Sequence, residues 1–235
     1  MTAVVSGQGL LTTFAGADWR FPADGQPATR APLSQVEQMR FDAQGNVYLA
    51  DPGQNVVLRM NFDGVIEVFA GTGEDRSGPD GSPARETALA GPMGLTLDAE
   101  GNVYVSEYRG HRIRRIGTDG VVTTIAGTGM AGFSGDGGAA TSAALRNPHS
   151  IDVDASGNLY FVDQGNVRIR RIGTDGIIQT IAGDGTAGFG GDGGPASRAR
   201  ISAGRGFVVD PGGSIYFSGS NRIRRINPGG GSIET

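Results

Sequence analysis

Short apolar segments recur along this chain at strand length, and each is bounded by a turn rich in Gly, Asp or Asn. In the best-formed stretch they are Ser150–Asp154, Asn158–Asp163, Arg168–Ile172 and Ile177–Gly183. Alternation of apolar and polar positions over about five residues between turn signals predicts four β-strands. The connections Asp154-Ala155-Ser156-Gly157-Asn158 and Gly173-Thr174-Asp175-Gly176 place glycine where a hairpin needs positive φ. Three hairpins in series make an antiparallel four-stranded meander.

The pattern repeats with a step of 56. Tyr48, Tyr104, Tyr160 and Tyr216 keep that step, as do Asp42, Asp98, Asp154 and Asp210. The loop aspartates Asp24, Asp80, Asp136 and Asp192 keep it too. Apolar pairs such as Leu95/Leu97, Ile151/Val153 and Phe207/Val209, with Val103/Val105 and Leu159/Phe161 on the next strand, give each sheet oily faces it cannot bury alone. Radial stacking of the copies supplies the missing neighbours, so the period predicts an all-β propeller of four-stranded blades. One domain over 1–235 is expected, with repeats at 10–64, 65–120, 121–176 and 177–230.

Composition adds exclusions. The net charge is −4 and all 20 basic residues are arginine, so no lysine is available for Schiff-base chemistry and nucleic-acid binding is not expected. Cysteine is absent, which excludes disulfides and thiolate sites. No apolar run reaches the roughly 20 residues of a membrane span, and none is expected to meet a membrane. Met1–Val5 shows no signal peptide, which leaves cytoplasmic and mature secreted forms equally open.

The phrases Gly-Asn-Val-Tyr-Val-Ser-Glu (101–107), Gly-His-Arg-Ile-Arg-Arg-Ile (110–116) and Thr-Ile-Ala-Gly-Thr-Gly (124–129) resemble NHL repeats. The loop Phe189-Gly190-Gly191-Asp192-Gly193-Gly194-Pro195-Ala196 resembles the long-loop variety of bacterial and teneurin-like proteins. The resemblance implies strands A to D from axis to rim, with the sequence repeat offset from the blade. It implies that Leu10–Gly16 is an outer strand of a preceding unit and that Ser232–Thr235 is a stub of one. Two assemblies follow: Leu10–Gly16 zips onto Arg222–Ile226 and closes a four-bladed ring, or open edges pair with further blades or copies.

The same resemblance places ligands around the axis, on the face shared by the D–A and B–C loops. The roughly twenty-residue D–A loops carry Trp19, Phe21, Phe133 and Phe189, either to meet a ligand or to pack the loops onto the blades. Before each strand A the repeating position changes identity: Glu37, Met93, His149, Arg205. Such a ring at the channel mouth suits an anionic or polar ligand, or acid–base chemistry, or is merely the rim of a wet channel. His111 is expected to be structural. Asp24, Asp80, Asp136 and Asp192 are expected to cap short helices, with Ca²⁺ ligation as the weaker alternative and no other cofactor foreseen. Glu107 and Asp163 are expected to pair with Arg112 and Arg168, leaving Arg114, Arg115, Arg170, Arg171, Arg224 and Arg225 largely solvated. The favoured function is a non-enzymatic binding or scaffold disc for a protein, peptide or glycan. A metal-assisted lyase or lactonase is the first alternative, and a truncated or engineered fragment that self-associates through its blade edges is the second.

Overall fold

The computed structural model describes residues 21–202 and 205–235. Its strands are β1 (Gln26–Pro27), β2 (Gln38–Phe41), β3 (Val47–Asp51), β4 (Val56–Met60), β5 (Val65–Ala70) and β6 (Pro92–Leu97). Then come β7 (Val103–Glu107), β8 (Arg112–Ile116), β9 (Val122–Ala126), β10 (Pro148–Val153), β11 (Leu159–Asp163) and β12 (Arg168–Ile172). The last five are β13 (Ile178–Ala182), β14 (Phe207–Val209), β15 (Ile215–Gly219), β16 (Arg222–Ile226) and β17 (Ile233–Glu234). They form four antiparallel sheets: β2–β5 with β1 added outside β5, then β6–β9, β10–β13 and β14–β17. The fold is a β-propeller of four blades. The predicted repeats 65–120, 121–176 and 177–230 each take in the outer strand of one blade and continue into strands A to C of the next, so consecutive blades share a repeat.

In blades 2 and 3 the aspartate and tyrosine that mark the period are bonded to each other. In blade 3, Asp154 accepts the backbone N–H groups of Ser156 and Asn158, the Asn158 side chain at 2.8 Å and the Tyr160 hydroxyl at 3.1 Å. Asp98 does the same for Asn102 and Tyr104 in blade 2. In these two blades the A–B turn is thus an Asx turn locked from the next strand, with Gly157 (φ 83°) supplying the left-handed step in blade 3. Tyr104 is pushed up to about 12 by burial, with Asp98 adding to it.

These turns carry an acid sensitivity. Burial alone would raise Asp98 and Asp154, but their asparagine, backbone and tyrosine donors outweigh it and hold both below the ordinary 3.8. A carboxylate whose folded pKa is depressed contributes stability above its unfolded pKa and loses it as pH falls through the folded value. Wild-type protein is expected to lose stability steeply below about pH 4, and a doubly substituted Asp98→Asn/Asp154→Asn variant to lose less over the same window. Urea midpoints from pH 5 down to 2 check this.

The core lies between blades. Tyr48, Ala50, Val57 and Ala70 on the back of blade 1 pack against Leu95, Val103, Val105, Ile116 and Val122 on the front of blade 2. Blades 2 and 3 meet the same way through Ile113 and Ala126 against Ile151, Phe161 and Ile178. Blades 3 and 4 meet through Ile169 and Val162 against Phe207, Phe217 and Ile226. The front of blade 1 is covered over its outer part by Phe21, Ala23, Ala28 and Val36 of the incoming loop.

The D–A loops differ from expectation in course. Each folds back along the outer edge of the blade that follows it, through Pro83 against Val121, Ala139 against Ile177 and Pro195 against Ser232. Each ends in a single 3₁₀ turn, such as Ala196–Arg198, rather than a longer helix. The loops therefore extend the sheets laterally before they reach the axis. Ring closure by Leu10–Gly16 lies outside the described residues; β17 takes the outer place beside Arg225 and Ile226 of β16.

Candidate functional site: the axial mouth and the braced loop aromatics

Three of the four residues expected at the mouth come together. Glu37 stands before β2 and Arg205 before β14, and their side chains meet at 3.5 Å across the axis. His149 is the second residue of β10, buried, with its ring edge-to-face on Tyr108 and its Nδ1 3.1 Å from the Ser150 hydroxyl. Burial holds the imidazole below its ordinary pKa; Glu37 pulls it up and Arg205 pushes it down. The result is a neutral imidazole between a carboxylate and a guanidinium, able to accept a proton. Met93 lies within β6 and, half-buried, adds only apolar surface.

Below the mouth the axis is crossed by bonds among all four blades. Asp152 of blade 3 meets Thr96 of blade 2 at 3.1 Å, Arg40 of blade 1 at 3.5 Å and the Val209 backbone N–H of blade 4 at 2.9 Å. Gln38 reaches from blade 1 to the Leu95 N–H and the Ile151 carbonyl. These residues were missed in the sequence. The series Arg40, Thr96, Asp152, Val208 varies at the same step as Glu37, Met93, His149, Arg205, but it sits inside an apolar strand, where alternation alone does not mark it.

The rim arginines correct the sequence reading most. Arg114, Arg170 and Arg224 are buried, not solvated. Glu107 and Asp163 pair with Arg114 (3.4 Å) and Arg170 (3.5 Å), two residues beyond the arginines expected. Arg112 and Arg114 share one face of strand C, as do Arg168 and Arg170; among these arginines the pleat turns only Arg115 and Arg171 to the other face. The reason lies in the incoming loop, which lies over the second arginine of each pair through Asp80 and Asp136. The loop aspartates are the second partners, Asp80 on Arg114 at 2.9 Å, Asp136 on Arg170 at 2.7 Å and Asp192 on Arg224 at 2.5 Å. They do not cap the 3₁₀ turns, whose N-caps are Pro83, Ala139 and Pro195 with no side-chain bond. Asp24 pairs with Arg85 instead, because blade 1 carries Leu58 where the others carry arginine. Every loop aspartate is thus committed to a guanidinium. Among the described residues no three His, Asp or Glu side chains converge as a metal site.

Phe133 lies over Arg168 with the guanidinium carbon 3.9 Å from the ring centre, and Phe189 over Arg222 at 4.1 Å. Arg170 and Arg224 flank the same two rings at 5.0 and 4.9 Å. Both phenyl groups remain half-exposed, with Met130 exposed on the loop of Phe133. Phe21, at the same step, is buried over Leu58, and Trp19 lies outside the described residues. His111 takes φ 54° at the B–C turn and accepts the Asn147 N–H at 3.1 Å, a structural role.

The sequence model of the Teneurin NHL domain matches residues 129–188, which run from the end of blade 2 through blade 3 into the loop of Phe189. The chain is 28% identical to zebrafish (Danio rerio) Teneurin-3 over 200 residues, 73% of this chain and 7% of that protein. Against human Teneurin-4 it is 38% identical over 115 residues, 43% of this chain and 4% of that protein. The repeats are similar to the NHL repeats of those proteins. The blades superpose on virginiamycin B lyase from Staphylococcus aureus, solved with quinupristin, at a TM-score of 0.55 and 20% identity. That match covers 87% of this chain and 56% of the lyase, and at such identity it shows the fold alone. The chain thus spans well under a tenth of the teneurins it matches and about half of the lyase.

Proposed function

We propose that this NHL propeller is a binding module for a protein partner, presented on the loops of blades 3 and 4. The observation that carries the reading is the pair Phe133 and Phe189, half-exposed rings each seated on an arginine and flanked by a second, buried one. Aromatic, methionine and arginine side chains are enriched at interface centres. A ring already fixed by its arginines gives up little freedom on binding. Similarity to a small part of much larger teneurins supports a modular role.

Alanine at Phe133 and Phe189 together is expected to weaken capture of the partner roughly tenfold or more, while leaving the melting temperature within a few degrees. The measurement is affinity by surface plasmon resonance for the protein retained by immobilised wild type. Full retention with both rings removed counts against the reading. An enzymatic reading rests on the neutral His149 held between Glu37 and Arg205; consumption of quinupristin by wild type but not by a His149→Ala variant would move the function to the axis.

A further inference from the structure

We propose that the cleft between blades 2 and 3, at the ends of the strands opposite the axial mouth, takes up a phenylalanine-sized side chain from a basic peptide segment of a partner protein. The cleft has a volume of about 850 Å³ and lies between the A–B turns of the two blades and the C–D turn of blade 3. Clefts that hold ligands run from roughly 300 to 1,000 Å³. Its apolar wall is Tyr104 and Ile125 on the back of blade 2, facing Val153, Leu159, Ile172 and Ile177 on the front of blade 3. Every lining residue falls within 98–177, inside two fully described blades.

The two other junctions show what this cleft lacks. The tyrosines that repeat Tyr104 are buried there, Tyr48 at 6% and Tyr160 at 5% exposure, whereas Tyr104 is only half-buried. Between blades 1 and 2 the place of Ile125 is taken by Phe69, whose ring stands edge-to-face on Tyr48 at 4.9 Å and packs with Leu97. Between blades 3 and 4 it is taken by Ile181, and the C–D turn of blade 4, one residue longer at 227–231, brings Gly230 against that side chain. Between blades 2 and 3 an isoleucine meets the shorter turn 173–176, and the space stays open. An aromatic ring seated on Tyr104 from outside thus repeats a contact the protein makes to itself at Tyr48.

Charge selects what flanks that ring. Asp98, Glu100, Asp154 and Asp175 line the cleft, with Arg115 the one base of the lining, held by the Asn102 side chain at 2.5 Å. Asp98 and Asp154 are bonded within their own turns, so they supply negative potential rather than contacts. Glu100 and Asp175 are exposed at the edge, where a guanidinium or ammonium beside the ring meets them.

The test titrates the ¹⁵N-labelled chain with acetyl-Arg-Phe-Arg-amide and follows its amide NMR spectrum. Saturable shifts are expected at Gly157, Thr174 and Gly176, with acetyl-Glu-Phe-Glu-amide at least roughly tenfold weaker. Ile125→Phe plugs the cleft as Phe69 does at the first junction; it should weaken the basic peptide at least roughly tenfold without lowering the melting temperature. Glu100→Gln/Asp175→Asn, at exposed positions, should weaken it roughly three- to tenfold, and this variant decides the matter should Ile125→Phe fail to fold. Phe133→Ala/Phe189→Ala should bind the peptide as wild type does, which keeps this cleft separate from the loop face. The proposal is overturned if the basic peptide gives no saturable shift at those amides up to about 5 mM. It is equally overturned if Ile125→Phe or the double charge variant binds as tightly as wild type, or if the two peptides bind alike.

Discussion

Replacing Arg170 with leucine is expected to lower stability by about 3 kcal/mol, because it strands the buried Asp163 carboxylate. Arg170 is inaccessible and ties four groups together: Asp163, Asp136 and the carbonyls of Ser134 and Ala144. Its loss leaves Asp163 with the Arg146 N–H and the Asn166 amide alone. Blade 1 shows what a leucine at this position requires. There Leu58 replaces the arginine, and the buried Asp51 is held by the N–H groups of Ser34, Gln35 and Gln54 and by the Gln54 amide. A double variant, Arg170→Leu/Asp163→Asn, should recover roughly 1–2 kcal/mol, since it removes the uncompensated charge. Burial raises the Asp163 pKa, with Asn166, the Arg146 N–H and Arg170 opposing it. A carboxyl group whose folded pKa is raised costs stability as pH climbs through the unfolded value and beyond. The deficit of the single variant should therefore be smallest below about pH 4 and largest near neutrality. Guanidinium titrations of the three proteins at both ends of that range decide it.

The second large effect is expected at Gly94, where alanine should cost about 3 kcal/mol although the backbone there is ordinary. The reason is close approach between blades. A Cβ on Gly94 would run into the His149 carbonyl of blade 3, the Ser106 hydroxyl at 2.8 Å and the Gln38 side chain. The first two are partners in the hydrogen bond that joins blades 2 and 3, so neither can move freely. Gly206 holds the same position in blade 4, where the added Cβ would meet only Ser218. Gly206→Ala should thus cost less than about 1 kcal/mol, and thermal unfolding of the pair measures the contribution of a neighbouring blade. Equal costs at the two sites would refute the explanation.

Both predictions turn on features that separate local from tertiary information. Strand positions were legible because side-chain alternation and glycine turns are properties of neighbouring residues; the A–B turns followed from Asp154 and Gly157 within five positions. The partners of the arginines were not. Arg112 and Arg114 look alike in the phrase Arg-Ile-Arg-Arg-Ile, and only the course of the Asp80 loop decides which is covered. Likewise, nothing in the sequence near Asp152 announces that it bonds to three other blades.

The 56-residue period by itself determined the propeller, because a meander with two oily faces is stable only among copies of itself. It also marked Glu37, His149 and Arg205 as positions where the repeat is broken. Tertiary structure alone decided which charges are buried and which rings are stacked on them. The physical reason is distance along the chain: these outcomes depend on loops and blades that meet tens of residues apart, where packing rather than local preference selects the partner.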